Sequence, residues 1–463
     1  MARAELGGAE AKKGAPQRGP WLSPSLCARV ITSVTGLADG YDFGSISGAM
    51  VLMRGDVPLT PGQLGAVVGV AYLAMGVGAP VGGSLGDALG RKKALAFSYM
   101  LLIVGSLGCA LSNTFVEFFA ARIILGGGVG AGMSVVSTFM TEVAPKSQRG
   151  YYVGLEDLFL VFGIFMGYAF NYILTGIAND WRWMLGLGAV CPAVALPLLF
   201  LPQVPESPRW EMLQGNREKA TALLVSIVGE EEAARMLEEW SCMPQACSWS
   251  ELLCPRSMWR RRALVASIGV WVTAMVAGIA VVTVYMAQIF SDEIPARESF
   301  LLTAIMAALR VGVIALTVFY LMDLAGRRIW TLISCGGVVL SFALLAVLYH
   351  VEASVVPWKA SVLMVYFASY SLGMAAIPYV YGPEVLPTDM RSKGVSAGIF
   401  CARMSAGCIT WSFPLAKEAF GVSAVFTGLA TMNVASFIFL YLCMPESKGV
   451  SLEEMHHLFR SPS

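Results

Sequence analysis

The sequence predicts an all-α membrane protein in which twelve transmembrane helices form two pseudo-symmetric six-helix bundles. The first observation is composition: 56% of the 463 residues are hydrophobic and only 14% are charged, whereas soluble proteins carry about a quarter charged residues. The second is a series of apolar runs, each long enough to cross the roughly 30 Å hydrocarbon core of a bilayer. The third is a set of motifs that occurs in both halves of the chain.

The apolar runs fall into two groups of six. They lie near 26–50, 62–86, 94–112, 115–138, 150–174 and 184–203, and near 263–290, 299–322, 329–349, 359–382, 394–416 and 421–443. Lysine and arginine concentrate in alternate loops, among them 91–93, 146–149, 260–262, 327–328 and 391–393. Because positively charged loops face the cytosol, we expect a multi-pass protein with both termini cytosolic, in a plasma or organelle membrane.

The two groups carry copies of the same short motifs. The offsets between matching positions are 323 − 87 = 236, 384 − 142 = 242, 391 − 149 = 242 and 446 − 206 = 240. Unrelated patterns that share one offset indicate a duplicated membrane unit. The matched pairs are Gly83–Lys93 with Asp323–Arg328, Thr141–Gly150 with Pro383–Gly394, and Pro205–Arg209 with Pro445–Gly449.

The duplication and the polar segments predict the domain organisation. We expect a disordered cytosolic N-terminal tail over 1–22, a first bundle over 23–203, a cytosolic linker over 204–260, a second bundle over 261–444 and a cytosolic tail over 445–463. Apolar periodicity in the linker predicts short amphipathic helices, at Glu211–Leu213, Arg217–Val225 and Glu230–Trp240.

Several function classes lack support in the sequence. The net charge of +1 gives no reason to expect a nucleic-acid partner. Cys242, Cys247 and Cys254 share one loop without a nearby histidine, so we expect neither a metal site nor a cofactor. No catalytic constellation is visible, and we expect a monomer in the lipid bilayer that is not an enzyme.

The motifs together resemble the sugar-porter branch of the major facilitator superfamily. The organic-ion-transporter branch shares several of them, notably Pro205–Trp210. The resemblance implies two bundles that rock about a central cavity, with a proton and a small molecule as partners. It is carried by Gly40–Ala49, Gly83–Lys93, Glu142–Gly150, Trp181–Met184, Pro205–Arg209, Asp323–Arg328, Ile377–Glu384 and Pro445–Glu453.

Asp42 is the principal candidate for proton coupling. It lies midway along the first span, where a carboxylate is costly and is functional by default. The resemblance implies that it takes up a proton and pairs with Arg122 on the fourth span; the alternative is a static buried ion pair. Asp39 lies one helical turn earlier, in a segment that also resembles the first helix of aromatic-acid/proton symporters. It either shares the proton or faces a cavity.

The charged loop motifs are predicted to act as gates. Glu142 is expected to pair with Arg149 and Glu384 with Arg391 at the cytosolic face when that side is shut. The alternative is that these charges only fix topology. The full set of gating candidates is Asp87, Arg91, Glu142, Arg149, Glu206, Arg209, Asp323, Arg327, Glu384, Arg391 and Glu446.

The expected substrate positions depart from the sugar-porter pattern. Where the family has amides, this chain aligns Ile164, Ala274, Met275 and Ala280, and Tyr379 replaces a tryptophan. Two cations, Arg310 and Arg403, lie near the middle of spans eight and eleven. An arginine in the bilayer core needs a partner, which is either an anionic substrate, helix C-terminal carbonyls or Asp39. We also expect aromatic lining from Tyr285, Tyr379 and Trp411.

These observations predict proton-coupled symport of a small polar organic solute by alternating access. The cavity residues favour an organic carboxylate or other anion. The family resemblance favours the alternative, a sugar or a polyol. A third hypothesis, a nutrient receptor on the same fold that does not transport, usually requires a longer cytosolic tail than the one after the last span.

Overall fold

A computed structural model describes residues 24–143, 149–202, 204, 206–241, 247–255, 257–317, 326–351, 356–387, 389–448 and 459. Every secondary-structure element within these ranges is a helix. The all-α fold class predicted from the sequence is therefore confirmed for the part of the chain that is described.

The first bundle contains seven helices that make six spans. The sixth span is α6 and α7 joined by a single 3-10 turn at Leu187–Ala189. A second 3-10 turn, Met53–Gly55, follows α1. The helices are α1 Pro24–Leu52, α2 Pro61–Leu89, α3 Arg91–Leu111, α4 Phe115–Val143, α5 Arg149–Leu174, α6 Asp180–Gly186 and α7 Val190–Leu198.

Four short helices connect the two bundles: α8 Pro208–Leu213, α9 Arg217–Val228, α10 Glu230–Ser241 and α11 Trp249–Leu253. The second bundle also has seven helices and six spans. They are α12 Met258–Val276, α13 Ile279–Ser291, α14 Ala296–Leu316, α15 Arg327–His350, α16 Val356–Leu372, α17 Ile377–Val385 and α18 Arg391–Cys443.

The count of spans follows from these bounds. Ten helical segments of the described chain are long and apolar enough to cross a membrane, and one of them, α18, has 53 residues. That helix bends at Gly421, whose φ is +81°, so it contains two spans. The remaining span is α1, a 29-residue helix that carries two buried carboxyl groups. The predicted twelve spans are therefore present.

Two spans of the second bundle are broken near their middle. The first break lies between α12 and α13 at Gly278, whose φ is +79°. The carbonyls freed there accept hydrogen bonds, that of Ala277 from Tyr366 Oη at 2.8 Å and that of Val276 from Asn433 Nδ2 at 3.2 Å. The second break, at 373–376, separates α16 from α17. Transporters commonly place such breaks beside a binding cavity.

The bundles meet tightly at the end remote from the linker, here called the far side; the opposite end is the linker side. A Cβ atom at Gly65 would lie 2.1 Å from the backbone oxygen of Trp411, so α2 and α18 touch along their backbones. Ser47 accepts a hydrogen bond from the backbone N–H of Ala287 at 3.4 Å, which joins α1 to α13. These contacts close the far side.

The glycine run at 126–130 packs α4 against α2, as its apolar context indicates. Gly130→Ala is expected to cost about 1–3 kcal/mol of stability, because the added Cβ would lie 2.1 Å from the backbone oxygen of Met75. Gly127→Ala is the matched control on the same helix, since nothing lies within 4 Å of its added Cβ. Thermal unfolding of the purified protein measures both, and equal melting temperatures would contradict this packing.

Candidate functional site

A cavity lies between the bundles, next to both helix breaks. Its walls come from α1, α2 and α5 of the first bundle and from α12–α14 and α16–α18 of the second. Apolar side chains, including Phe43, Tyr72 and Ile164, form much of the lining. The polar part of the lining consists of Asp157, Thr283, Arg310, Tyr379 and Arg403.

Asp42 and Arg122 form a buried ion pair just behind this cavity. Arg122 Nη1 donates to Asp42 Oδ1 at 2.6 Å, and both side chains are almost fully buried. Asp42 Oδ2 has no hydrogen-bond partner among the described residues. Arg122 Nε also donates to the backbone oxygen of Val67 on α2, at 3.4 Å. The two residues that the resemblance implies as partners are thus in contact.

Arg310 and Arg403 project into the cavity from the second bundle. The Arg310 guanidinium lies 5.3 Å from the ring centroid of Phe367 and 5.9 Å from that of Tyr370, which is a cation–π arrangement. Arg403 Nη2 lies 3.4 Å from Met133 Sδ. Neither arginine makes an ion pair within 4 Å of a described carboxylate, although both are buried.

The charges that balance these arginines come from the first bundle. Arg310 acts on the Asp157 carboxylate. Arg403 acts on both Asp39 and Glu156, which are buried. The expectation of an anionic substrate rested on the lack of a spare carboxylate at matching depth in the second bundle, with Asp39 as an alternative partner. That expectation loses its basis, because three carboxyl groups of the first bundle lie within electrostatic range of the two arginines.

Glu156 and Asp157 are residues near the cavity that were not among the site residues predicted from the sequence. Their depth along α5 can be calculated from the rise of the helix, and this calculation could have identified them. Residues seven and eight positions after Arg149 lie about 10–12 Å along α5 at 1.5 Å per residue. That depth places Asp157 in the wall of the cavity.

Two of the predicted aromatic lining residues lie elsewhere. The Tyr285 ring stacks on Phe413 at a centroid distance of 4.7 Å, and its hydroxyl donates to the backbone oxygen of Thr410. Trp411 lies in the seam against Gly65 and Gly69 of α2. Tyr379 does line the cavity, and its ring meets Trp271 edge-on at 4.5 Å.

A buried charge network holds the linker side of the first bundle together. Arg91, at the start of α3, donates from Nη2 and Nε to the two oxygens of Glu142, at 2.8 and 3.0 Å. Ser207 Oγ donates to the same carboxylate at 2.6 Å. Glu206 accepts from the backbone N–H groups of Arg91 and Lys92, at 2.8 and 3.2 Å, and so caps α3.

The second bundle repeats this network with the same residue types. Glu446 accepts from the backbone N–H groups of Arg327 and Arg328, at 2.8 and 3.1 Å. Ser447 Oγ donates to Glu384 at 2.7 Å, and Arg327 Nη2 lies 3.5 Å from that carboxylate. The second network is looser and more exposed than the first.

The predicted pairing of Glu142 with Arg149 stays a prediction, because the side chain of Arg149 lies outside the described residues; the partner that the structure shows for this carboxylate is Arg91. Asp87 contacts Arg91 at 3.0 Å but is largely exposed. Arg391 donates to the backbone oxygen of Leu386 at 3.3 Å, and Arg209 lies half-buried at the start of α8. Asp323 lies outside the described residues. The gating role of this set stays a prediction.

Comparison with known proteins agrees with this architecture. The family model described as "Sugar (and other) transporter" matches residues 28–459. Putative polyol transporter 2 of Arabidopsis thaliana is 29% identical over 484 residues, covering 97% of this chain and 93% of that protein. Probable metabolite transport protein CsbC of Bacillus subtilis (strain 168) is 32% identical over 426 residues, covering 91% of each.

Solved structures share the fold. The proton:xylose symporter XylE bound to 6-bromo-6-deoxy-D-glucose superposes with a TM-score of 0.78 at 22% identity, covering 94% of this chain and 98% of that one. The expected resemblance is confirmed, and the chain belongs to the sugar transporter family of the major facilitator superfamily.

Proposed function

We propose that this protein transports a neutral polyhydroxylated solute, a sugar or a polyol, together with a proton, by alternating access. The single observation that carries the proposal is the buried Asp42–Arg122 pair beside the central cavity. A charge pair in this position can change its protonation state and so favour one arrangement of the bundles over the other. The linker side is proposed to face the cytosol, in keeping with its positive loops.

The charge balance of the cavity favours a neutral solute over the organic anion that sequence reasoning preferred. Arg310 and Arg403 lie within electrostatic range of Asp157, Asp39 and Glu156, so their charges have counter-charges within the protein and do not require an anionic solute. Relatives named as polyol transporters also support a neutral solute.

The polar lining can bind hydroxyl groups without the amides of the family pattern. A carboxylate such as Asp157 accepts two or more hydrogen bonds, and the guanidinium of Arg310 donates several. Arg310 Nε and Thr283 Oγ1 have no hydrogen-bond partner among the described residues. These unpaired atoms could satisfy the hydroxyls of a bound polyol, and hydrogen bonds to charged groups are stronger than those between neutral groups.

The proton is proposed to act through Arg122. When Asp42 is protonated, Arg122 loses its charged partner and depends more on the carbonyl of Val67, to which it already donates. Val67 belongs to α2, the helix that packs closely against α18 at the far side. A change in the hydrogen bonds of Arg122 therefore affects α2. The contact between α2 and α18 must separate for access from the far side.

Uptake into proteoliposomes under an imposed pH gradient tests the proposal. We expect accumulation of neutral solutes from a panel of hexoses, pentoses, inositol and linear polyols, with collapse of accumulation when a protonophore is added. Matched sugar acids, such as gluconate beside glucose, serve as the control for charge. Accumulation of the acids but not of their neutral counterparts would overturn the choice of solute class.

A further inference from the structure

The seam between α1 and α5 brings two carboxyl groups together at the edge of the cavity. Glycines on α1 let the helix backbones touch: a Cβ at Gly36 would lie 2.6 Å from the backbone oxygen of Glu156, and a Cβ at Gly40 would lie 1.8 Å from that of Leu160. Asp39 lies between these two glycines in the sequence. The close approach brings this segment of α1 against α5, and Glu156 is among the charged groups that act on Asp39.

Neither carboxyl group is compensated by a direct ion pair. Asp39 is 1% exposed, and neither of its oxygens has a hydrogen-bond partner in the described part of the chain. Glu156 is 8% exposed, and its contact is the hydroxyl of Ser137, which donates at 3.5 Å. A buried carboxylate that has no donor, as for Asp39, or one long hydrogen bond, as for Glu156, is disfavoured in its charged form.

The charged and titratable groups around this pair come from several helices. Glu156, Arg403 and Asp42 are the charges that act on Asp39. Asp157 and Arg403 act on Glu156. The neutral phenols of Tyr99 on α3 and Tyr379 on α17 also lie within electrostatic range of Asp39. Arg403 is thus the cation that this pair faces, and it belongs to the other bundle.

A count of formal charges around the cavity shows an excess of one carboxyl group. Asp42 and Arg122 cancel one another. The remaining groups are three carboxyls, the buried Asp39 and Glu156 and the half-buried Asp157, and two buried guanidiniums, Arg310 and Arg403. Fully ionised, they leave one net negative charge, and one bound proton removes it. Asp157 lines the cavity together with Arg310, whereas Asp39 and Glu156 are buried, so burial favours a proton on one of these two.

We propose that Asp39 and Glu156 form a second proton-binding site, distinct from the Asp42–Arg122 pair, with Arg403 as its counter-charge across the interface between bundles. A proton from water adds to one carboxylate, and no other bond changes. Binding of the proton weakens the electrostatic attraction between the first bundle and Arg403, and release of the proton strengthens this attraction. The site thereby makes the closing of the bundles around the cavity depend on pH, a role that presupposes the proposed alternating access.

The test uses the Asp42→Asn variant, in which the first site is absent. Solute exchange is measured at equal pH on both sides, from pH 5.5 to 8. We expect the rate to remain pH-dependent in Asp42→Asn and to lose this dependence when Glu156→Gln or Asp39→Asn is added. Glu298→Gln, in the first turn of α14 and exposed, is the matched control and should leave the dependence intact.

Infrared difference spectroscopy gives a second measurement that needs no transport. Between low and high pH, the Asp42→Asn protein should show the carbonyl band of a protonated carboxyl, and Glu156→Gln or Asp39→Asn should remove it. A pH-independent exchange rate in Asp42→Asn, or a band that survives both substitutions, would overturn the second site. Neither result would affect the proposed function, which fails instead if Asp42→Asn still accumulates solute.

Discussion

Replacing Asp42 with Asn is expected to abolish accumulation of solute against its gradient while leaving exchange across the membrane measurable. The amide has nearly the shape of the carboxyl group but cannot take up a proton at the position of Oδ2, the carboxylate oxygen that does not accept the hydrogen bond from Arg122. Without that step the proton gradient has no route into the cycle, so the accumulation ratio should fall to about one. Proteoliposome uptake with an imposed pH gradient measures the loss, and counterflow measures the exchange.

Asp292→Asn is the matched control for this experiment. Its carboxylate pairs with Lys417 at 2.5 Å at the far side and is 43% exposed, so accumulation should match that of the unmodified protein. If Asp42→Asn accumulates solute as well as this control does, Asp42 is not the coupling group. If both variants lose exchange, the defect lies in folding, and thermal unfolding will reveal it.

The second large effect is expected for stability. Glu142→Gln should cost about 3 kcal/mol, because removing one partner of a buried ion pair leaves the other charge uncompensated. Arg91 is only 4% exposed, and it has two hydrogen bonds to this carboxylate. The melting temperature of the purified protein reports the loss.

Two further substitutions calibrate this result. In the second bundle, Glu384→Gln should cost less, since Arg327 lies 3.5 Å away and the pair is 21% and 29% exposed. Glu231→Gln removes a surface pair with Arg235, and such pairs contribute about 0–1 kcal/mol. We therefore expect Glu142→Gln to destabilise the protein most, Glu384→Gln less and Glu231→Gln least. A shift for Glu142→Gln no larger than that for Glu231→Gln would show that burial does not strengthen the network.

Much of the fold could be predicted from the sequence because lipid imposes simple rules. Span length and hydropathy gave twelve crossings, and the repeated motifs gave two related halves. The breaks beside Gly278 and at 373–376 could not be predicted, because hydropathy does not distinguish a continuous helix from one that unwinds in the membrane. The carbonyls freed at Gly278 are satisfied by Tyr366 and Asn433, which are distant in sequence.

The candidate site was predicted less completely than the fold. The Asp42–Arg122 contact followed from the resemblance. Glu142 was assigned to Arg149, whose side chain lies outside the described residues, and the structure shows that Arg91 from a separate helix binds this carboxylate. Among the counter-charges of the cavity, Asp39 was named as an alternative partner of the two arginines, whereas Glu156 and Asp157 were missed because they lie on the opposite bundle, and sequence separation carries no information about which helices face each other.

The bend at Gly421 has a mechanical consequence. The last two spans continue into one another without an irregular loop, so they form a stiff hairpin with a single corner. Its first arm carries Arg403 in the cavity, and its second arm exposes Met432 and Ile438 on the outer surface. A tilt of the first arm must drag the second through the surrounding acyl chains. Bilayer thickness, which sets the cost of helix tilt, therefore enters the energetics of each transport cycle.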